Sequence, residues 1–289
     1  MAPIRDRAGH CVAIYRKPAY SPQQHLANDA AIMDAVVLEL ARSGWEIART
    51  HEQDVEADRA RPAADLILNM CQGAAASARL ADVERAGALV VNRPESVLAC
   101  HRHALVRALA GGDIPFPHTL IVPTWIPDDT ARALADFLAG HALVWVKRGD
   151  VHAERPDDVL CVEPDEVPAC IATFGARGIT RLAVQAHVPG PVLKFYGLAD
   201  QSFFRFYGAE AGAAAPPPRV DEARLRAVAF GAAARLGLNV FGGDVALPAP
   251  DAPVLIDIND WPSFAPFRRD AAAAIARYVH NAARTGVAA

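Results

Sequence analysis

Two aspartates and an asparagine near the C-terminus carry the chemistry that is plainest in this sequence. Residues 237–264 read GLNVFGGDVALPAPDAPVLIDINDWPSF. Two short apolar runs, FGGDVAL and VLIDIND, flank a Pro-rich turn, PAPDAP, which predicts two neighbouring β-strands. Each run holds one carboxylate in an apolar setting, Asp244 in the first and Asp257 in the second, and Asn259 follows two residues on. Period-two alternation puts Asp257 and Asn259 on one face of their strand. An Asp at a strand end also serves as a turn or cap residue. A Gly-Gly-Asp strand followed by Asp-x-Asn and Trp-Pro-Ser is harder to assemble from two unrelated turns. Two carboxylates and an amide oxygen are hard ligands, the set that Mg²⁺ takes when it also holds nucleotide phosphates.

The elements that must position these groups follow a simple rhythm. HCVAIYR predicts a first strand and KPAYSPQQ a loop; a helix is expected from Asn28 to Ser43, with Ile32, Val36, Val37 and Leu40 on one face. GWEIART, ADLILNM and ALVVN are further strands, giving the βαβ pattern of a small parallel sheet. Downstream come a helix over 128–139, strands in ALVWVKRGD, DVLCVE and RLAVQAHV, and a hairpin VLKFYGL-ADQ-SFFRFY. GAEAGAAAPPPR reads as a linker or flap, VDEARLRAVAFGAAARLGL as an amphipathic helix, and Asp270 as the N-cap of a closing helix. The expected class is α/β and α+β: a lead unit over 1–94 and a larger unit over 95–289, in two lobes of about 95–185 and 186–289.

Composition excludes several classes. The chain has 289 residues, 52% hydrophobic, with 29 Lys and Arg against 33 Asp and Glu. No basic block marks a nucleic-acid binder, and no apolar run approaches the roughly 18 residues of a membrane span. The N-terminal MAPIRDRAGH lacks an apolar segment, so a cytoplasmic protein is expected. Five scattered cysteines without a C-x-x-C pair point to buried, inert thiols.

The motifs GGDVAL and LIDINDWPSF resemble the C-terminal signature of the ATP-grasp superfamily: an acidic strand residue, an acid-x-Asn pair, then Pro and a small residue. The resemblance covers about residues 90–289, with the N-terminal part as a generic α/β lead domain. It implies two lobes clamping ATP and Mg²⁺ (one or two ions, with Mn²⁺ possible), and Asp244, Asp257 and Asn259 as the metal ligands. NRPESVLACHRHALVRALAGGDIPFPHT is similar to the stretch that usually bears an Asp-Lys pair, the Lys on a nucleotide phosphate. Here Arg102 and His103 stand in its place, Arg102 one residue out of register. Lys147 matches the phosphate-binding Lys of a v-v-K strand, although a Lys at a strand end is commonly just solvated. The loop RGDVHAERPDD resembles the phosphate-covering loop in position, with Arg148 and His152 as candidates.

Gln185, Ala186, His187 and Val188 correspond to the adenine hinge. Lys194 and Arg205, cations on adjacent hairpin strands, are expected to neutralise a transferring phosphoryl group or acyl phosphate; as plain structure they would be strand-face charges stacked on aromatics. Asn69 and Gly73, at the carboxyl edge of the lead sheet, resemble an N-x-x-x-G strand end beside the substrate pocket of D-alanine:D-alanine ligases; the plainer reading is a polar turn. With Ser263 and Arg268 they make up the expected substrate contacts, Arg269 being an ordinary surface charge or a further one. The resemblance implies a ligase joining a carboxylate to an amine, with small-molecule substrates, no nucleic-acid or membrane partner, and a homodimer as one assembly. VQAHVPGPVLKFYG and IDINDWP also resemble the inositol polyphosphate kinases of this fold, so a small-molecule kinase is the alternative. A nucleotide-binding protein without turnover is a third reading, kept open by the replaced Asp-Lys pair.

Overall fold

The computed structural model describes residues 9–20, 23–60, 62–151 and 154–285. The first unit runs β1 (His10–Tyr15), α1 (Gln23–Arg42), β2 (Glu46–His51), α2 (Glu52–Glu56), β3 (Leu66–Asn69), α3 (Ala74–Arg85) and β4 (Leu89–Val91). Its four strands pair in parallel in the order β2-β1-β3-β4. Alternation divides the sheet between two cores. Cys11, Ala13, Leu66 and Leu68 pack with Ile32, Val36 and Leu40 of α1, whereas Val12, Ile14 and Ile67 pack with Val55 and Leu80 on the other side. Helix α1 begins five residues before the expected Asn28, because QQHLA contains no residue that breaks a helix. The short helix α2 was not expected; five residues are too few to display a 3.6-residue period.

The second unit opens with α4 (Pro94–Ala99) and α5 (Arg102–Leu109), then β5 (Thr119–Pro123), α6 (Asp128–Ala139), β6 (Val144–Arg148), β7 (Val159–Val162), α7 (Val167–Ala176) and β8 (Arg181–Ala186). The chain from Pro94 to Leu109 is largely helical. It divides at His101, whose ψ of 130° leaves the helical region and whose buried ring meets the Gln72 carbonyl at 2.9 Å. The strands form an antiparallel sheet in the order β5-β8-β6-β7.

The third unit contains β9 (Val192–Leu198), β10 (Phe204–Gly208), α8 (Glu222–Leu236), β11 (Val240–Ala246), β12 (Val254–Asp260) and α9 (Arg268–Thr285). Its antiparallel sheet has the order β10-β9-β11-β12. One face is apolar: Phe195, Phe241 and Ile258 pack on Leu225, Ala229 and Ala232 of α8. Helix α8 is capped by the Asp221 carboxylate, which accepts from the Arg224 N–H, and stops at Gly237, whose φ of 68° suits a residue without a Cβ. Asp270 is a correction: it lies within the first turn of α9, where an acid complements the helix dipole, and a short 3₁₀ turn over Ala265–Phe267 leads in. Helix α9 returns to the first unit, and its Ala271, Ile275 and Val279 share a core with Ile32, Val36 and Leu40.

All five cysteines are free thiols; Cys11, Cys71 and Cys100 are buried, but Cys161 is exposed, against the expectation of uniform burial. Among the described residues no helix is long and apolar enough to cross a membrane.

Candidate functional site

The strand pairing brings the C-terminal residues together. Asp244 of β11 stands opposite Asp257 of β12 and Gly242 opposite Asn259, while Lys194 of β9 stands opposite Asp244 on the other side. Directly paired residues share a face, so Lys194, Asp244, Asp257 and Asn259 all lie on the face away from α8. Period two alone predicts this for β12, and the ladder extends it to three strands. The register then slips: Asp244 pairs with Asp257 but Val245 with Leu255, leaving Ile256 as the extra residue of a β-bulge. Bulges re-aim groups beside functional sites, and here the Ile256 carbonyl accepts from Lys147 Nζ at 3.3 Å.

Lys147 comes from the other antiparallel sheet. Trp145 of β6 pairs with Gln185 of β8, so Lys147, two residues on, shares their face, and its Nζ donates to Gln185 Oε1 at 2.7 Å. Gln185 Nε2 donates in turn to Thr119 Oγ1 at 3.2 Å. Lys147 is only 6% exposed. Burial brings its ammonium down to about 8, against the pull of the Asp257 carboxylate and with the push of the Arg102 guanidinium.

Arg102, at the start of α5, spans the seam between the sheets. It donates to Asp257 Oδ2 at 3.1 Å and to the Arg148 carbonyl at 3.2 Å, and its buried Nε has no hydrogen-bond partner among the described residues. His103 is turned elsewhere: its backbone N–H and its Nδ1 both meet the Gly149 carbonyl at 3.0 Å, tying down the loop after β6. Arg148 is held within that loop by Asp150 and Glu154; His152 lies outside the described residues. At the hinge, the Ala186 N–H donates to the His118 carbonyl at 2.9 Å, the His187 ring accepts from the Trp145 indole at 3.1 Å, and Val188 follows at the strand exit.

Lys194 Nζ donates to Asp244 Oδ1 at 2.9 Å. Burial works to lower this ammonium, but the adjacent Asp244 carboxylate outweighs it and leaves it raised, so Lys194 stays a cation. The structure does not bring Arg205 to this group. It is exposed on the edge strand β10, opposite Tyr196, with its guanidinium over the Phe203 ring at 5.4 Å and on the Phe204 carbonyl.

Asp244, Asn259 and Lys194 form one wall of a cleft of about 350 Å³. The opposite wall comes from the parallel-sheet unit and includes Arg16 and Gln72 from the loops after β1 and β3, and Asn28 and Asp29 from α1; Ser263 also lines the cleft. Arg16 donates to Asp29 Oδ2 at 3.0 Å and to the Trp261 carbonyl at 3.3 Å, and Gln72 Nε2 to Asp260 Oδ1 at 3.1 Å. Three expected substrate residues lie elsewhere. Asn69 is wholly buried, its amide consumed by the Asn92 carbonyl and the Cys71 N–H. Gly73 is the N-cap of α3, where a Cβ would come within 2.6 Å of Glu56 Oε1. Arg268 stands behind the cleft, donating to Asn28 Oδ1 at 2.7 Å. Sequence reasoning missed Arg16 and Asp29. Arg16 carried a usable signal, being the polar residue directly after a parallel strand, at the edge where open α/β sheets bind ligands.

Among the described residues no group of three or more His, Cys, Asp or Glu is arranged to hold a metal. A cation here would rest on two carboxylates and one amide, all hard oxygen donors on one sheet face. That set fits Mg²⁺ shared with a phosphate-bearing ligand, which completes the coordination, and does not fit a self-sufficient protein cage.

No protein-family model and no curated protein matches the sequence. Solved structures match its shape. The D-alanine–D-alanine ligase of Bacillus anthracis, crystallised with ATP, superposes with a TM-score of 0.68 at 11% identity, covering 96% of this chain and 99% of that one. The RimK domain ATP-grasp protein of Sphaerobacter thermophilus DSM 20745 gives a TM-score of 0.64 at 22% identity, covering 93% and 99%. The D-cycloserine synthetase DcsG gives 0.68 at 16% identity, covering 95% and 100%.

Proposed function

We propose that this chain, which has the ATP-grasp fold, is an ATP-dependent ligase joining a carboxylate to an amine through an acyl phosphate. The observation that carries the reading is the cleft between Asp244, Asn259 and Lys194 on one wall and Arg16, Asn28 and Gln72 on the other. Asp244, Asp257 and Asn259 would hold Mg²⁺, which when bound would supply charge neutralisation for phosphoryl transfer. Lys147, cationic below pH about 8, would donate to a phosphate oxygen from the facing sheet. Arg102 holds Asp257 in place across the seam and adds positive charge beside the phosphates. The substrate carboxylate oxygen attacks the γ-phosphorus and ADP leaves; the amine then attacks the acyl carbon, and phosphate leaves as the amide forms. Lys194, kept protonated by Asp244, would neutralise the transferred phosphoryl group and the acyl phosphate. Positioning and charge neutralisation suffice, and no side-chain nucleophile is needed.

The kinase reading is less well supported. Among the described residues, the wall from the parallel-sheet unit offers one cation, Arg16, already paired with Asp29, whereas a polyphosphate demands a concentrated basic lining. The test is product analysis with Mg-ATP across a pool of amino acids and polyols. A ligase releases ADP and phosphate together only when acid and amine are both present. ADP with a phosphorylated alcohol and no free phosphate would convert the assignment to a kinase, and nucleotide binding without any product would leave a non-catalytic binder.

A further inference from the structure

Glu52, the first residue of α2, is a fully buried carboxylate whose side chain hydrogen-bonds the backbone of the two loops that carry Arg16 and Gln72. Its Oε1 accepts from the N–H groups of Gln72 (2.7 Å) and Gly73 (2.6 Å), and its Oε2 from that of Lys17 (2.9 Å). These amides belong to the loops that leave β3 and β1. The first loop presents Gln72 to the cleft, and the second presents Arg16, next to Lys17, and Tyr20.

Gln72 and Arg16 both reach the exit of β12. Gln72 donates to Asp260 and Arg16 to the Trp261 carbonyl, and these are the two residues directly after Asn259. Trp261 has a φ of 37°, a left-handed conformation that a bulky side chain adopts only when its surroundings hold it there. Its indole donates to the Val91 carbonyl at 2.9 Å. The turn at Gly73 is seated tightly, with Glu56 Oε1, the Tyr20 hydroxyl and Glu52 Oε1 all within 3.2 Å of where a Cβ would stand. A buried carboxylate is costly unless hydrogen-bonded, and burial raises the Glu52 carboxyl while its three backbone bonds oppose the shift. A buried apolar side chain would avoid that cost but could not bind the loops.

We propose that Glu52 is a positioning residue for the substrate wall of the cleft. By holding the loops at Lys17 and at Gln72 and Gly73, it keeps Arg16 and Gln72 docked on Asp260 and Trp261, and so sets the substrate wall against the strand that bears Asp257 and Asn259. The inference rests on the ligase reading only in taking this wall as the one that meets substrate.

The experiment compares full-length wild type with Glu52→Gln and Glu52→Ala. Mg-ATP affinity, measured by calorimetry, should stay within about twofold, because the nucleotide groups stand on other elements. The amides of Lys17, Gln72 and Gly73 should exchange with solvent about tenfold faster in Glu52→Ala, as expected for loss of a charge-assisted bond. KM for the acid and amine that support phosphate release should rise about tenfold with kcat changed far less, and Glu52→Gln, which keeps one carbonyl acceptor, should recover part of both effects. Unchanged exchange at the three amides together with unchanged KM would overturn the inference. Should Glu52→Ala not fold, the same readings on Glu52→Gln decide it. Failure of wild type to bind Mg-ATP would remove the ligase reading instead, while amide exchange would still decide whether Glu52 holds the loops.

Discussion

The two walls of the cleft are built by different means. The wall proposed for phosphate and metal is made of side chains on strands, Asp244, Asp257 and Asn259 on one sheet and Lys147 and Gln185 on another, each aimed by period-two alternation and ladder register. The wall proposed for substrate is made of the loop residues Arg16 and Gln72 and of Asn28 on α1, aimed by hydrogen bonds that join residues far apart in the chain. Strands position charge rigidly from local sequence, whereas loops need an external anchor such as Glu52. One consequence is that the first wall can keep its geometry while the second is retuned for a different acid or amine.

Three predictions sharpen the contrast. The largest effect is expected on the strand-built wall: Asp257→Asn should lower turnover by at least about a hundredfold. The asparagine keeps an acceptor for Arg102, so the fold should persist by circular dichroism; turnover near wild type would dissociate this wall from the chemistry. Next is the pH profile of Lys147. Its proton is lost as pH rises through about 8, and phosphate binds the protonated form, so Mg-ATP affinity should weaken across pH 7 to 9 in wild type and show no such slope in Lys147→Met. The linked stability change runs the other way. The unfolded chain keeps this proton up to a pKa of about 10.4, so the unfolded state holds more protons between about 8 and 10, and Lys147 contributes rising stability with pH in that window. The smallest effect belongs to Arg205→Ala, for which turnover within about twofold and a stability loss of about 0.5–1 kcal/mol are expected from an exposed cation–π contact. A loss of turnover as large as that of Asp257→Asn would bring Arg205 back among the catalytic groups and would mean that the hairpin β9-β10 moves.

Much of the strand-built wall was legible before any coordinates. Asp244, Asp257, Asn259 and Lys147 each interrupt an apolar run, and apolar runs reveal strands. Arg102 was legible as a charge but not as the partner of Asp257, because the two lie 155 residues apart. Asn69 and Gly73 were read as substrate contacts from a strand end, and both proved to serve backbone and packing. A polar residue at a strand end looks the same in sequence whether it faces a ligand or a neighbouring loop. Gln72, between them, is the residue that reaches the cleft.

The sequence by itself determined the parallel lead sheet, the order of most strands and helices along the chain and the shared face of Asp257 and Asn259, since these depend on periodicities of two and 3.6 residues and on turn chemistry, all of which are local. Only the tertiary structure decided that α9 packs on α1, that Ile256 bulges to offer its carbonyl to Lys147, and that Glu52 anchors two loops. Those outcomes depend on burial and hydrogen-bond partners supplied by distant segments, and a buried donor or acceptor takes whichever partner the packed core brings within reach.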